Sequence, residues 1–257
     1  MPNNFSKIKK QGGSSVEKQI FTLKNNLPLA RELWKMELLG DTGAITAPGQ
    51  FVDLRLESRF LRRPISVSDW EAGKLTLIYK EAGEGTRQMT RLEPGTKLDI
   101  LTGLGNGFSL DRAGEEPLLV GGGVGAAPLY ALAKALVQRG SRPRAVLGFN
   151  AVEDVFLVRE LEALGTPVTL ATADGSAGEK GFVTDVLPKS ASYLYACGPG
   201  PMLRALDQAT DLPGEFSFEA RMGCGFGACM GCTMETRSGP RRICKEGPVF
   251  ERGELLW

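Results

Sequence analysis

The stretch Pro117-Leu-Leu-Val-Gly-Gly-Gly-Val-Gly-Ala-Ala-Pro128 is typical of a short apolar strand, a glycine-rich turn and the start of a helix. Glycines in such a turn let the backbone approach a pyrophosphate, and the helix start offers free amides and a positive dipole end. Many strand–helix joins use glycine for packing alone, so the turn by itself is weak evidence. No Lys-Ser or Lys-Thr pair follows it, which disfavours ATP or GTP hydrolysis. Its position between a strand and a helix predicts a pyridine-nucleotide site.

Outward from this turn, residues 114–215 alternate between strands and helices. Strands are predicted at 117–120, 145–149, 168–171 and 192–196. Helices are predicted at 128–138 and 155–164, with a further helix starting at 183–187. This alternation predicts a Rossmann-like parallel α/β NAD domain that binds its ligand at the carboxyl ends of the strands.

The last predicted strand of this domain ends at Cys197-Gly-Pro-Gly-Pro-Met202. A small buried cysteine before a loop is one interpretation. The other is a strand-end turn that lines the nicotinamide pocket through Cys197, Gly198, Pro199 and Met202.

Two features bear on the choice between NAD and NADP. Asp174 follows the third strand, and no arginine comes just after Phe149. Because a 2′-phosphate needs cationic partners, both features favour NAD.

The preceding part of the chain, residues 19–113, consists of short apolar–polar runs separated by proline and glycine. Residues 51–56 and 74–78 alternate, and Pro48-Gly49 and Pro94-Gly95 punctuate the pattern. Several short strands at this spacing predict a closed antiparallel barrel.

A second candidate site lies in this barrel, at Arg62-Arg63-Pro64-Ile65-Ser66, which is predicted to end a strand. An arginine before a proline is by itself only an extended surface dipeptide. In a flavin pocket, Arg63 would pair with the diphosphate and Ser66 would hydrogen-bond near the isoalloxazine.

Two further stretches make a flavin pocket the preferred interpretation. They are Ile78-Tyr79-Lys80 and Gly83-Glu84-Gly85-Thr86. Tyr79 would pack against the cofactor, and Gly85 and Thr86 would offer a backbone and a hydroxyl donor to the phosphate.

The C-terminal segment, residues 216–257, carries four of the five cysteines: Cys224, Cys229, Cys232 and Cys244. Their C-x4-C-x2-C…C spacing is that of plant-type [2Fe–2S] centres. Nearby glycines allow the chain to wrap tightly around a small core. A four-cysteine zinc site would more usually show two C-x2-C knuckles, and structural disulfides would need an oxidising compartment.

Composition excludes several other classes. The chain has no histidine, which removes Rieske centres, Cys/His zinc fingers and His-based triads. At 257 residues, with 42% hydrophobic and 24% charged residues, the chain is expected to form one to three globular domains. Its net charge of +1 argues against nucleic acid or an anionic membrane as the main partner. Residues 1–18 are predicted to form a flexible extension, and the missing signal peptide indicates the reducing cytosol.

The order of these motifs resembles the ferredoxin–NADP reductase superfamily with a C-terminal [2Fe–2S] segment. Within that superfamily, residues 19–257 look like the electron transfer subunits of dihydroorotate dehydrogenase B. The residues that carry this closer resemblance are Glu219-Ala-Arg-Met-Gly-Cys-Gly-Phe-Gly-Ala-Cys229, Ala173-Asp-Gly-Ser-Ala-Gly178 with Gly181-Phe-Val-Thr-Asp185, and Ile243-Cys-Lys-Glu-Gly-Pro-Val-Phe250. The N-terminal extension and the short loop between Cys232 and Cys244 depart from the pattern.

The resemblance implies a multidomain β plus α/β fold with three cofactors. It implies FAD at Arg63, Pro64, Ile65, Ser66, Ile78, Tyr79, Lys80, Gly85 and Thr86. It implies NAD at Gly121, Gly122, Gly123, Val124 and Gly125, and one [2Fe–2S] cluster at the four cysteines. It further implies an FMN-bearing catalytic subunit, which oxidises dihydroorotate to orotate in pyrimidine (UMP) biosynthesis, within a heterotetramer of two copies of each subunit.

Three questions stay open at this point. Glu219 lies near the flavin edge in one interpretation and pairs with Arg221 at the surface in the other. The small subunits of an NADH-dependent ferredoxin:NADP oxidoreductase or of a sulfhydrogenase share the motif order. A non-catalytic, zinc-containing nucleotide-sensing module is the alternative from a different class.

Overall fold

The N-terminal half of the molecule is a closed β-barrel in the computed structural model, which describes residues 7–9 and 15–257. Its strands pair in the order β2-β3-β6-β5-β4-β7, and β7 returns to pair with β2. All these pairings are antiparallel, so the predicted closed antiparallel barrel is confirmed. The elements of this part are β1 (Lys7–Lys9), β2 (Ser15–Ala30), β3 (Leu33–Leu39), β4 (Phe51–Leu54), β5 (Arg63–Glu71), β6 (Lys74–Lys80), α1 (Glu84–Thr90) and β7 (Lys97–Leu104).

Strand β4 differs from the alternating pattern predicted for residues 51–56, because all four of its residues are buried. Val52 and Leu54 belong to the barrel core. Phe51 packs instead in a core that includes residues of the C-terminal segment, and Asp53 is also buried. The outer face of β4 is therefore covered by the cysteine-bearing segment rather than by water.

The second half is a seven-stranded sheet in the order β11-β10-β9-β8-β12-β13-β16. Every pairing is parallel except that of β13 with β16, which confirms the predicted parallel α/β domain. Its elements are β8 (Leu118–Gly122), α2 (Ala127–Gln138), β9 (Arg144–Phe149), α3 (Val158–Ala163), β10 (Val168–Thr172), β11 (Glu179–Lys180), β12 (Leu194–Cys197), α4 (Gly200–Ala209) and β13 (Gly214–Ser217). Helix α2 packs into a continuous core with β8, β9 and β12.

Two local predictions are corrected. Residues 183–187 do not start an α-helix, because the chain makes only a 3₁₀ turn at Val183–Val186 before a strand-like residue. Arg63 begins strand β5 rather than ending a strand, since the chain before it turns at residues 57–62. Further 3₁₀ turns lie at Gly123–Ala126, Val152–Asp154 and Arg252–Glu254.

The C-terminal segment contributes a small hairpin and one strand of the α/β sheet. The hairpin joins β14 (Thr233–Thr236) to β15 (Gly239–Arg242), and β16 (Val249–Glu251) pairs with β13. The Trp257 indole donates to Asp207 at 2.7 Å and its ring lies against Phe216, which fixes the chain end to the α/β domain.

The predicted N-terminal extension, residues 1–18, lies partly outside the described residues. Within it, β1 pairs antiparallel with the beginning of β2. The predicted domain boundaries stay predictions. No helix in the described part of the chain is long and apolar enough to cross a membrane.

Candidate functional site

The cysteines of the C-terminal segment form two pairs of thiols. Cys224 is hydrogen-bonded to Cys229, and Cys232 to Cys244. Backbone amides surround them: Ala228 N donates to the Cys224 sulfur at 3.2 Å, and Cys244 N donates to the Cys232 sulfur at 3.4 Å. Among the described residues, no group of three or more Cys, Asp or Glu side chains is arranged to hold one metal ion. Two pairs of thiolates fit a two-iron cluster, in which each iron takes two protein ligands.

The electrostatics of the thiols differ between the pairs. Burial opposes ionisation of Cys224, but the amides of Cys229, Phe226 and Ala228 outweigh it and lower the pKa of this thiol to about 7. Burial and the neighbouring Cys232 raise the pKa of Cys244. Cys229 is exposed, whereas Cys232 and Cys244 are buried. Cys224 is therefore more readily ionised than Cys244, Cys229 faces solvent, and the second pair is anchored in the core.

A cavity of about 560 Å³ lies across the carboxyl ends of the parallel strands and is called the dinucleotide cavity below. Six of the residues predicted to bind NAD line it: Gly122, Gly123, Val124, Gly198, Pro199 and Met202. The other three predicted residues do not line it. Gly121 lies in β8, Cys197 is buried with a pKa raised to about 12 by desolvation, and Gly125 packs on the end of β12.

A second cavity of about 330 Å³ adjoins the first and is called the flavin cavity below. Six of the predicted FAD residues line it: Pro64, Ile65, Ser66, Ile78, Tyr79 and Lys80. The Tyr79 ring belongs to the barrel core, and its hydroxyl donates to Asn26 at 3.0 Å. The flavin cavity also takes walls from helix α2, through Ala127 and Pro128, and from the C-terminal segment, through Ala220 and Met222.

The remaining predicted FAD residues lie together at the start of helix α1. A Cβ at Gly85 would lie 1.9 Å from Nε of Arg63, so the glycine lets this guanidinium reach the helix start. The Thr86 hydroxyl accepts hydrogen bonds from the amides of Ala82 at 2.9 Å and Gly83 at 3.1 Å. A guanidinium beside a threonine-capped turn is a suitable partner for a diphosphate.

Three residues line both cavities: Lys80, Val124 and Glu219. Glu219 is exposed to the cleft, and the protein around it desolvates the carboxyl and raises its pKa. No ion pair joins Glu219 to Arg221 within the described residues. The carboxyl thus stands at the junction of the two cavities.

Some residues of the site were not predicted from the sequence. Phe182, an exposed aromatic, and the ion pair of Arg31 with Asp154 line the dinucleotide cavity. The carboxyl of Asp53 is buried beside the cysteine loop, where a Cβ at Gly225 would lie 2.6 Å from its Oδ2. The sequence signal for Phe182 is its place in Gly181-Phe-Val-Thr-Asp185, one of the stretches that carry the family resemblance. The positions of Arg31, Asp154 and Asp53 depend on contacts between distant parts of the chain.

Comparison with known proteins agrees with this arrangement. Residues 119–208 match the oxidoreductase NAD-binding domain, and residues 219–256 match the iron–sulfur cluster binding domain of dihydroorotate dehydrogenase B. The structure of an NADH-dependent reduced ferredoxin-NADP oxidoreductase superposes with a TM-score of 0.84 at 27% identity, covering 96% of this chain and 92% of that chain. A ferredoxin NADP+ reductase from Neisseria gonorrhoeae superposes with a TM-score of 0.61 at 17% identity over 76% of this chain and 89% of its own, a similarity of fold alone.

The fold and the site define a class, the ferredoxin reductase-like oxidoreductases that carry a C-terminal iron–sulfur domain. The electron transfer subunit of dihydroorotate dehydrogenase B (NAD(+)) from Geobacillus sp. (strain WCH70) is 43% identical over 256 residues, which cover 94% of this chain and 99% of the relative. The chain belongs to this family of electron transfer subunits, which implies a separate catalytic subunit as partner. The predicted cofactor set of FAD, an iron–sulfur cluster and NAD is confirmed at the level of fold and family.

Proposed function

We propose that this chain carries electrons from the FMN-bearing catalytic subunit of a dihydroorotate dehydrogenase to NAD+. In this role it accepts electrons at a [2Fe–2S] cluster on Cys224, Cys229, Cys232 and Cys244 and delivers them through FAD. The reaction served is oxidation of dihydroorotate to orotate in pyrimidine biosynthesis. The predicted cytosolic setting and the heterotetramer of two copies of each subunit are part of the same proposal.

One observation carries this proposal: the barrel, the α/β domain and the C-terminal segment all line the flavin cavity. The barrel contributes Ser66, the α/β domain contributes Pro128, and the C-terminal segment contributes Met222, two residues before the first cysteine. A ligand in this cavity therefore contacts the dinucleotide domain on one side and the cysteine segment on another. This is the position required of a group that exchanges electrons with both.

The chemistry needs a flavin at this position because a flavin exchanges both hydride and single electrons, whereas NADH gives hydride and the cluster takes one electron. The protein supplies binding and orientation. Val124 and Lys80 border both cavities, so they can fix a nicotinamide ring at the flavin edge. Hydride transfer needs no side-chain acid or base, and we assign Glu219 to the same boundary rather than to proton transfer.

The partner is proposed to approach the cysteine loop. Cys229 and the neighbouring Met230 are exposed, in contrast to the buried second pair of cysteines. An exposed ligand with an apolar neighbour suits close approach of a second redox subunit.

An anaerobic titration of the purified chain with NADH tests the proposal through visible absorption and electron paramagnetic resonance. Bleaching of a flavin band together with the signal of a reduced [2Fe–2S] cluster is expected. A flavin that NADH does not bleach would contradict the dinucleotide assignment, and bleaching without a cluster signal would contradict the relay. Addition of the catalytic subunit and dihydroorotate should then produce NADH from NAD+.

A second candidate function follows from the ferredoxin-NADP oxidoreductase superposition, which covers nearly the whole chain. In that case the partner would be a larger flavoprotein that uses ferredoxin and NADP. Purification of the chain with its native partner distinguishes the two: co-purified dihydroorotate oxidation supports the first proposal, and ferredoxin-dependent NADP reduction supports the second.

A further inference from the structure

An ion pair lies in the lining of the dinucleotide cavity, toward one end of it. The guanidinium of Arg31 donates from Nε to Asp154 Oδ1 at 2.8 Å and from Nη2 to Oδ2 at 2.7 Å. The Arg31 backbone amide also donates to the Glu153 carbonyl at 2.9 Å. Arg31 comes from the turn between β2 and β3 of the barrel, and Asp154 from the 3₁₀ turn after β9. The pair thus joins the two domains at the rim of the cavity.

The order of the strands shows which end this is. The flavin cavity is lined by residues that follow β8, such as Val124, and β13, such as Glu219. The turn with Asp154 follows β9, on the opposite side of β8. A dinucleotide with its nicotinamide at the flavin therefore has its adenosine at the Arg31–Asp154 end.

The cationic side chains of the whole cavity lining bear on which adenosine is accepted. Arg31 and Lys80 are the cationic side chains among the described residues that line the cavity, and Lys80 pairs with Glu32 at 3.4 Å. Both oxygens of Asp154 are used by Arg31, and this partnership raises the pKa of the guanidinium. A 2′-phosphate is bound by arginine through the same bidentate geometry that the carboxylate now occupies.

We propose that Asp154 determines the preference for NAD(H) over NADP(H) by holding Arg31 in this pair, where it cannot bind a 2′-phosphate. The carboxylate acts twice: it engages the guanidinium and its own charge repels the phosphate. This inference rests on the proposed function, because it takes the cavity to bind the dinucleotide. Arg31 is a latent phosphate ligand, present in the site and masked.

The test compares two probes, 5′-ADP and adenosine 2′,5′-bisphosphate, by isothermal titration calorimetry on the full chain with its cofactors bound. Asp154→Asn should raise the affinity for the bisphosphate relative to 5′-ADP roughly tenfold to a hundredfold, as expected for new hydrogen bonds to a charged group. Addition of Arg31→Gln to Asp154→Asn should remove most of the gain and leave only the part that comes from the lost repulsion. Asp154→Asn should also raise the ratio of kcat/KM for NADPH to kcat/KM for NADH, and addition of Arg31→Gln should lower this ratio again.

Two further variants make the result specific. Arg31→Asp combined with Asp154→Arg restores an ion pair and should keep the wild-type ratio even where Asp154→Asn folds poorly. Asp111→Asn removes the partner of Arg139 in another exposed pair, outside the cavity lining, and should leave the ratio unchanged.

The outcomes separate this inference from the proposed function. If the wild-type chain binds 5′-ADP and NADH but Asp154→Asn does not shift the ratio, the inference is wrong and the dinucleotide site stands. If the full gain persists without Arg31, repulsion by Asp154 acts alone and the masking of Arg31 is refuted. If the wild-type chain binds neither 5′-ADP nor NADH, the proposed function fails as well.

Discussion

Asp53 is a carboxyl buried between Arg62 and the cysteine loop. Burial raises its pKa to about 7, with Arg62 opposing the shift and Cys224 adding to it. Its Oδ1 has no hydrogen-bond partner among the described residues. Because the folded-state pKa is raised, the stability gained from the neutral carboxyl is complete below about pH 4 and is lost as the pH rises through about 7.

Asp53→Asn should therefore stabilise the chain at pH 8.5, by about 1–3 kcal/mol, and by much less at pH 5. Thermal unfolding of both proteins at the two pH values, at one scan rate, measures this difference. Asp111→Asn, which removes an exposed carboxyl, should show no such pH dependence. If Asp53→Asn were instead less stable than the wild type at pH 8.5, the Asp53 carboxylate would be ionised and stabilised by its neighbours in the native state.

Gly85 shows how a missing side chain positions a charged one. A Cβ at this position would lie 1.9 Å from Nε of Arg63, a flexible side chain that would move away. Gly85→Ala should weaken FAD binding at least about tenfold while leaving the fold intact, because alanine favours helix α1. Fluorimetric titration of the apoprotein with FAD measures the loss.

The matched control for this variant is Gly83→Ala, at the start of the same helix. Gly83 is extended, with φ −176°, and a Cβ there meets nothing within 4 Å. It should retain FAD as the wild type does. Equal FAD affinity in the two variants would mean that Arg63 does not bind the FAD phosphates.

Among the elements of the fold, the glycine turn between β8 and α2 packs directly on the end of β12. A Cβ at Gly125 would lie 2.4 Å from the Cys197 carbonyl oxygen and 2.7 Å from the Gly198 Cα. Both contacts are with backbone, so Gly125→Ala must displace the turn between β8 and α2. We expect the dissociation constant for NADH to rise at least about tenfold with FAD content unchanged.

Gly200→Ala provides the comparison on the neighbouring helix. Gly200 begins α4, and a Cβ there meets nothing within 4 Å. Calorimetric titration with NADH should find it equal to the wild type. If Gly125→Ala bound NADH as tightly as Gly200→Ala, the turn would not be the dinucleotide contact.

Features that depend on local contacts could be predicted from the sequence, whereas those that depend on contacts between distant parts of the chain could not. The strand, the glycine turn after it and the spacing of the four cysteines are local along the chain, so the sequence indicates them directly. The four buried residues of β4 were not, since their outer face is covered by residues from the C-terminal segment. Arg31 and Asp154 are 123 positions apart, and no periodicity indicates their contact.

In the whole molecule, the two redox steps should be separable, because no cysteine of residues 224–232, the cysteine loop, lines the dinucleotide cavity. Cys229 is exposed, whereas Cys232 and Cys244 are part of the core. Cys229→Ser should therefore disturb the cluster with less damage to the fold than substitution of a buried cysteine. Reduction of FAD by NADH does not use this loop and should stay within about threefold of wild type.

In the complex with its catalytic subunit, the same variant should lose at least about a hundredfold in dihydroorotate-dependent NAD+ reduction, since one-electron transfer into the chain is interrupted. Stopped-flow absorption gives the first rate and steady-state NADH formation the second. Cys197→Ala, at the buried cysteine outside the loop, should keep the iron and sulfide content that Cys229→Ser loses. Full turnover by Cys229→Ser would mean that electrons reach the flavin cavity without the cysteine loop. Loss of both activities would mean that the cysteine loop and the dinucleotide cavity are not functionally separate.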